Sequence, residues 1–144
     1  MLLRGVLVCT FTLLCIRASA QSVISTHSGL VHFFEGAISI DGRAVPPING
    51  RFPEVPEGAL LHTNEGNAEI LLGPEIFLWL GQTSTIRMQG NSLIDTRVEL
   101  IEGSAIVQAT QITPDNGVTL IHKDSRVRLS AHSLYRIDAL PSSS

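Results

Sequence analysis

The chain has 144 residues, a formal net charge of −3, and 44% hydrophobic against 16% charged residues. That is enough chain, and enough apolar content, for one domain with a sizeable core. A mildly acidic balance with scattered charges lacks the basic stripe of a nucleic-acid binder.

The opening twenty residues, MLLRGVLVCTFTLLCIRASA, place a basic residue early, an apolar stretch over Gly5–Ile16 and small residues at Ala18-Ser19-Ala20. This is the pattern of a secretory signal peptide with cleavage expected after Ala20, and the apolar stretch is shorter than the roughly 20 residues a spanning helix needs. Leu14 is not the small residue that a lipoprotein signal sets before its cysteine, so the Ala-x-Ala site fits better than Cys15. Cleavage removes Arg4 and Arg17, the only charged residues of the leader, and takes the formal charge from −3 to −5. It also removes Cys9 and Cys15, the chain's two cysteines. A mature chain without cysteine has no disulfide, no thiolate nucleophile and no cysteine-ligated metal. The expected location is the periplasm or the extracellular space.

A polar lead-in over 21–27 precedes the first apolar run, Leu30–Phe34. Glu35-Gly36 and a second run, Ala37–Ile40, follow, and two runs around a Gly-containing turn predict a β-hairpin. Residues 43–57, RAVPPINGRFPEVPE, carry four of the seven prolines. Proline cannot donate to a ladder, so this segment is expected to be a loop or an edge wrap, packed on the body through Val45, Ile48, Phe52 and Val55.

From Gly58 onward, short apolar segments follow one another at nearly even spacing. The predicted strands are 59–63, 67–72, 76–80, 84–88, 92–95, 97–101, 104–109, 117–122, 125–129 and 132–138. Turn signals separate them at Asn64-Glu65-Gly66, Gly73-Pro74, Gly81, Gly90-Asn91, Glu102-Gly103, Pro114–Gly117 and Lys123-Asp124. Alternation is clear in Ala68/Ile70/Leu72, Val98/Leu100, Val118/Leu120 and Val127/Leu129. No mature segment of helical length shows an uninterrupted 3.6-residue pattern. The expectation is a single all-β domain over 28–138, with about ten to twelve short, mainly antiparallel strands forming a roll, sandwich or β-solenoid-like body, and a frayed tail over 139–144.

Ile76-Phe77-Leu78-Trp79-Leu80 breaks the alternation, since all five residues are apolar. A fully apolar strand is expected at the centre of a sheet with both faces covered, which puts Phe77 and Trp79 in the core. On an open face the same two rings would form a platform for a sugar ring or for a partner's apolar side chain.

Catalytic patterns are missing. There is no Gly-x-Ser-x-Gly elbow, and Glu65, Glu69, Glu75 and Glu99 fall at turns or exposed strand positions where carboxylates are solvated. The histidines His27, His32, His62, His122 and His132 show no i, i+2 pair on one strand face, although His122, His132 and Asp124 fall near one another in the predicted strand order. Arg126, Arg128 and Arg136 could line a basic strip opposite Glu99 and Glu102, or be spent in cross-strand ion pairs. No cofactor, metal or catalytic residue is expected, and a hydrolase is the least favoured class.

The order of elements over Gly58–Met88 resembles the FecR domain family. The resemblance rests on Gly58, Leu60-Leu61, Thr63, the strand Ala68–Leu72, Gly73, Ile76-Phe77-Leu78 and Ser84-Thr85-Ile86. It continues through Val98–Gly103 and the opening segment Gly36–Gly42, and covers roughly 28–138. The turn Gly73-Pro74-Glu75 stands where the family has Asp-Gly-Ser, and Ala131–Tyr135 stands where it has Gly-Thr-x-Phe. The resemblance implies an envelope-localised β-domain that works by contact with an envelope protein partner and has no catalytic residues to transfer. The cytoplasmic segment and membrane helix of sigma-factor regulators are missing from this chain, so that role is not implied. The surfaces expected to make contact are the Pro-rich loop with Phe52, an exposed sheet edge, or Phe77 and Trp79. A carbohydrate-binding module using Phe77 and Trp79 is the alternative.

Overall fold

The computed structural model describes residues 27–139. The leader with both cysteines and the tail from residue 140 lie outside the described residues. Those described form an all-β domain without a helix: β1 (Leu30–Ile40), β2 (Arg43–Ala44), β3 (Leu60–Gly73), β4 (Ile76–Leu80), β5 (Thr85–Ser92), β6 (Asp95–Ala109), β7 (Gly117–His122), β8 (Ser125–Arg128) and β9 (Ser133–Ala139).

The pairing closes on itself. β3 pairs β4, β4 pairs β6, β6 pairs β5, and β5 returns to β3, all antiparallel. β1 and β2 extend one side of this ring, β9 adds to β6, and β7 and β8 complete the sheet. β7 runs parallel to β6, because the 110–116 connection carries the chain back to the start of that strand. The ring is filled by alternate residues of its walls. Leu61, Ile70, Leu72, Ile76, Leu78, Leu80, Ile86, Met88 and Val107 are buried to 1% exposure or less.

Nine strands replace the ten to twelve expected, and the reason is physical. Glu35-Gly36, Asn64-Glu65-Gly66 and Glu102-Gly103 are not turns. They lie inside the continuous strands β1, β3 and β6. There the strands bend and change partners: β3 pairs β5 through 60–62 and β4 through 68–73. β6 pairs β5 through its first half and β4 and β9 through its second. Glycine marks these places because two backbones approach closely. Gly36 and Gly66 face each other across β1 and β3, with φ of 73° and 141°. A Cβ on Gly36 would lie 1.7 Å from the Glu65 carbonyl oxygen, and one on Gly66 would lie 1.9 Å from that of Glu35. Glycine therefore supplies close approach here and not chain reversal. The expected strand over 92–95 is likewise replaced by a Leu93-Ile94 turn between β5 and β6, and Gly90-Asn91 lies inside β5.

A buried polar node ties the bends together. The Thr63 hydroxyl donates to the Gly81 carbonyl at 2.6 Å and accepts from the Ser84 amide at 3.0 Å. The Ser84 hydroxyl donates to the Gln82 carbonyl at 2.8 Å and accepts from the Ser104 amide at 3.0 Å. Both side chains are fully buried and both are satisfied, so the node secures the 81–84 loop without an orphaned group.

The Pro-rich segment wraps the outer edge of β1. Val31 donates to the Pro53 carbonyl, Val55 donates to the Gly29 carbonyl, and the Val55 side chain is fully buried. This strap covers backbone that an edge strand would otherwise expose.

Candidate interaction face

Alternation along β3, β4, β6 and β9 sets which side chains leave the core. Because Ile70, Leu78 and Val107 point inward, the residues between them point out. Strand register then aligns them into two rows, one across five strands and one across four. One row runs Phe33, Glu69, Trp79, Ile106, Arg136, and the next runs Leu71, Phe77, Gln108, Leu134.

Phe77 and Trp79 are therefore half-buried on the outer face, which corrects the expectation that they belong to the core. β4 is central, as its composition predicts, but its inner face is supplied by Ile76, Leu78 and Leu80. The five-residue apolar run thus has one buried face and one apolar face open in part to solvent. The two rings stack with centroids 6.0 Å apart and planes 25° apart, within the favoured range for an offset pair.

The Trp79 ring is held by a polar relay. Its Nε1–H donates to Glu69 Oε2 at 2.9 Å. Glu69 Oε1 accepts from His32 Nδ1 at 3.1 Å, since a carboxylate can only accept. The His32 ring in turn lies 5.5 Å from the Phe52 ring. His32 reaches this position because the β1–β3 ladder shifts register between Val31 and Phe33, so that consecutive residues both face outward.

The structure thus brings Phe52, Trp79 and Phe77 into one line of contacts, with His32 and Glu69 between them. Phe33, Phe52 and Leu134 are 48%, 41% and 68% exposed, and together with the stacked pair they make the outer face apolar. Sequence reading missed Phe33, Ile106 and Leu134, and it weighed Glu69 only as a solvated carboxylate. Glu69 and Ile106 follow from strand alternation once the register is known, whereas nothing in the local sequence signals the shift at His32. Beside Trp79 the face sinks into a shallow groove of about 290 Å³, lined in part by Asn67, Ser104, Ile106 and Arg136.

Arg136 and Asp138 form a two-pronged ion pair on β9, at 3.0 and 3.2 Å. The hydrogen bond from Arg136 holds the Asp138 carboxyl below its usual value, and the same pairing raises the Arg136 guanidinium. The basic strip does not assemble. Arg126 and Arg128 lie on β8 against β7, Arg136 lies on β9, and Glu99 faces Arg87 at 3.7 Å and Gln89 at 2.8 Å.

His122 donates from Nδ1 to the Leu100 carbonyl in the middle of β6, while the His132 amide bonds to Thr110 beyond the end of that strand. Among the described residues no three His, Cys, Asp or Glu side chains are grouped as a metal site would need. No described helix is long and apolar enough to cross a membrane. No family model matches this chain, and neither a curated protein nor a solved structure is similar to it at a significant level.

Proposed function

We propose that this chain is a non-enzymatic, exported binding domain, built on a FecR-like order of strands, that docks an envelope protein through the outer face of β1, β3, β4, β6 and β9. One observation carries the reading: the Phe77–Trp79 stack faces outward and is held in place by Glu69 and His32. Half-exposed aromatics with locked rotamers lose little entropy when a partner covers them, which is the property of binding hot spots. Their neighbours Phe33, Phe52 and Leu134 widen the patch beyond one pair of rings.

A protein partner fits better than a sugar because the polar groups around Trp79 are already engaged. Each Glu69 oxygen already accepts a bond, one of them from Trp79 itself. A glycan site needs such groups free to meet ring hydroxyls. The groove beside Trp79, with Asn67 and Ser104 in its wall, is the feature that keeps carbohydrate binding as the second reading.

Site-specific photo-crosslinking in the native envelope tests the proposal. A crosslinker at Phe33 or Ile106 is expected to capture a discrete partner, that capture is expected to vanish with Trp79→Ala, and a crosslinker at Lys123 on the β7–β8 turn is expected to capture none. Equal capture from all three positions, or capture indifferent to Trp79, would defeat the reading. Retention on a glycan matrix that is lost with Trp79→Ala would favour the sugar instead.

A further inference from the structure

The edges of this sheet differ in how far they are covered. The outer edge of β1 is covered by the strap at Pro53–Val55 near its start and by β2 near its end. β8 is four residues long and carries Arg126 and Arg128. Pairing β8 with its own copy about Val127 would set Arg126 against Arg128, so that edge repels itself. β9 differs. It is seven residues long, pairs β6 along one side, and has no backbone partner along the other among the described residues.

From this edge we infer that the protein forms a two-fold dimer by antiparallel pairing of β9 with β9 of a second copy, centred on Ile137. The register follows from symmetry. A two-fold axis through an antiparallel pair stands perpendicular to the sheet, so the central residue must face its own copy. Centring on Arg136 would oppose two guanidiniums and set Leu134 against Asp138. Centring on Tyr135 would set Leu134 against Arg136. Centring on Ile137 sets Arg136 of each copy against Asp138 of the other, twice, on the outer face. On the inner face it sets Tyr135 against Ala139, large against small, and Ile137 against itself. Tyr135 and Ile137 already pack on the core from the inner side, so this register carries the apolar layer across the axis.

The charges that commonly blunt an edge thus act here as a code for one register. Arg136 and Asp138 are 68% and 47% exposed, which leaves both able to reach across while keeping their contact along the strand. The two-fold pairing uses the β9 edge of both copies, so it closes as a pair and does not propagate along β9. It also joins two outer faces into one surface, with the two Trp79 rows on the same side.

Sedimentation-velocity measurements on the exported protein, from about 1 µM to about 500 µM, test the inference, since five paired residues per copy make a small interface of modest affinity. A monomer–dimer equilibrium is expected within that range. Arg136→Asp is expected to weaken it by about tenfold or more by setting carboxylates opposite each other, and Asp138→Arg is expected to do the same with guanidiniums. An equimolar mixture of the two variants is expected to restore a dimer, now a heterodimer, and the double swap to restore the homodimer. Both positions are solvent-exposed, and far-UV circular dichroism checks that each variant is folded; the neutral pair Arg136→Gln and Asp138→Asn stands in for any that is not. A protein that stays monomeric throughout, a dimer indifferent to the swaps, or a failure of the mixture to restore association would each overturn the inference.

Discussion

Replacing Gly36 by alanine probes the place where the paired backbones of β1 and β3 come close together. The new Cβ would sit 1.7 Å from the Glu65 carbonyl oxygen, and an ordinary carbon–oxygen contact needs about 3.3 Å. The shortfall of roughly 1.6 Å falls on backbone, not on the end of a flexible side chain, so the two strands must part. Parting by that amount breaks about two neighbouring ladder bonds, each worth about 1–1.5 kcal/mol. The positive φ adds roughly 1 kcal/mol for any residue with a Cβ. The expected loss is therefore about 3–4 kcal/mol, a large share of the stability of a domain this size. Gly42 is the control: its φ is 77°, but nothing lies within 4 Å of where its Cβ would stand, so Gly42→Ala should cost only about 1 kcal/mol. Urea unfolding followed by circular dichroism gives both values under identical conditions. If Gly36→Ala cost no more than Gly42→Ala, the close approach would not be a steric requirement and the account of β1 and β3 as bent continuous strands would fail.

Thr63→Val should cost about 1–3 kcal/mol in the same assay, since it leaves the buried Ser84 amide without that acceptor, while Thr63→Ser should cost about 1 kcal/mol or less. Trp79→Phe should leave stability within about 1 kcal/mol, because an aromatic stack is kept and the losses are the bond to Glu69 and part of a half-exposed ring; a much larger loss would mean the ring is core after all. Trp79 is also the chain's single tryptophan, so docking of a partner on the outer face should shift its emission to shorter wavelength, and a partner that binds without that shift binds elsewhere. Asp138 has a lowered folded-state pKa, so its contribution is present above the ordinary carboxylate range and is lost as pH falls through the lowered value. An NMR titration of its carboxyl should find a midpoint below that of free aspartate, returning upward in Arg136→Gln, and an unchanged midpoint in the variant would show that Arg136 is not its cause.

Much of this molecule is legible without a structure. Alternation in Ala68/Ile70/Leu72 and Val98/Leu100 names the residues that fill the ring, and the proline content of 43–57 marks a segment excluded from a central strand. Both follow from local covalent chemistry: a period of two is a property of the strand backbone, and a missing N–H is a property of proline. The aromatic pair was legible as a pair but not as a surface. Its strand is apolar on both faces, and only the neighbours' positions say which face is filled.

Composition and alternation therefore determine that the described chain is all-β and which residues are apolar by turns. They do not distinguish a glycine that reverses the chain from a glycine that lets two strands come close together. Gly36, Gly66 and Gly103 carry the same local signal as a turn, and their roles depend on what lies opposite: Gly66 against Gly36, and Ser84 against Gly103. The same holds for the outer face. Phe33, Glu69, Trp79, Ile106 and Arg136 are widely separated in the chain, and only strand register places them in one row. Periodicity is a property of each strand alone, whereas close approach and register arise between strands, and that is why tertiary structure alone decided them.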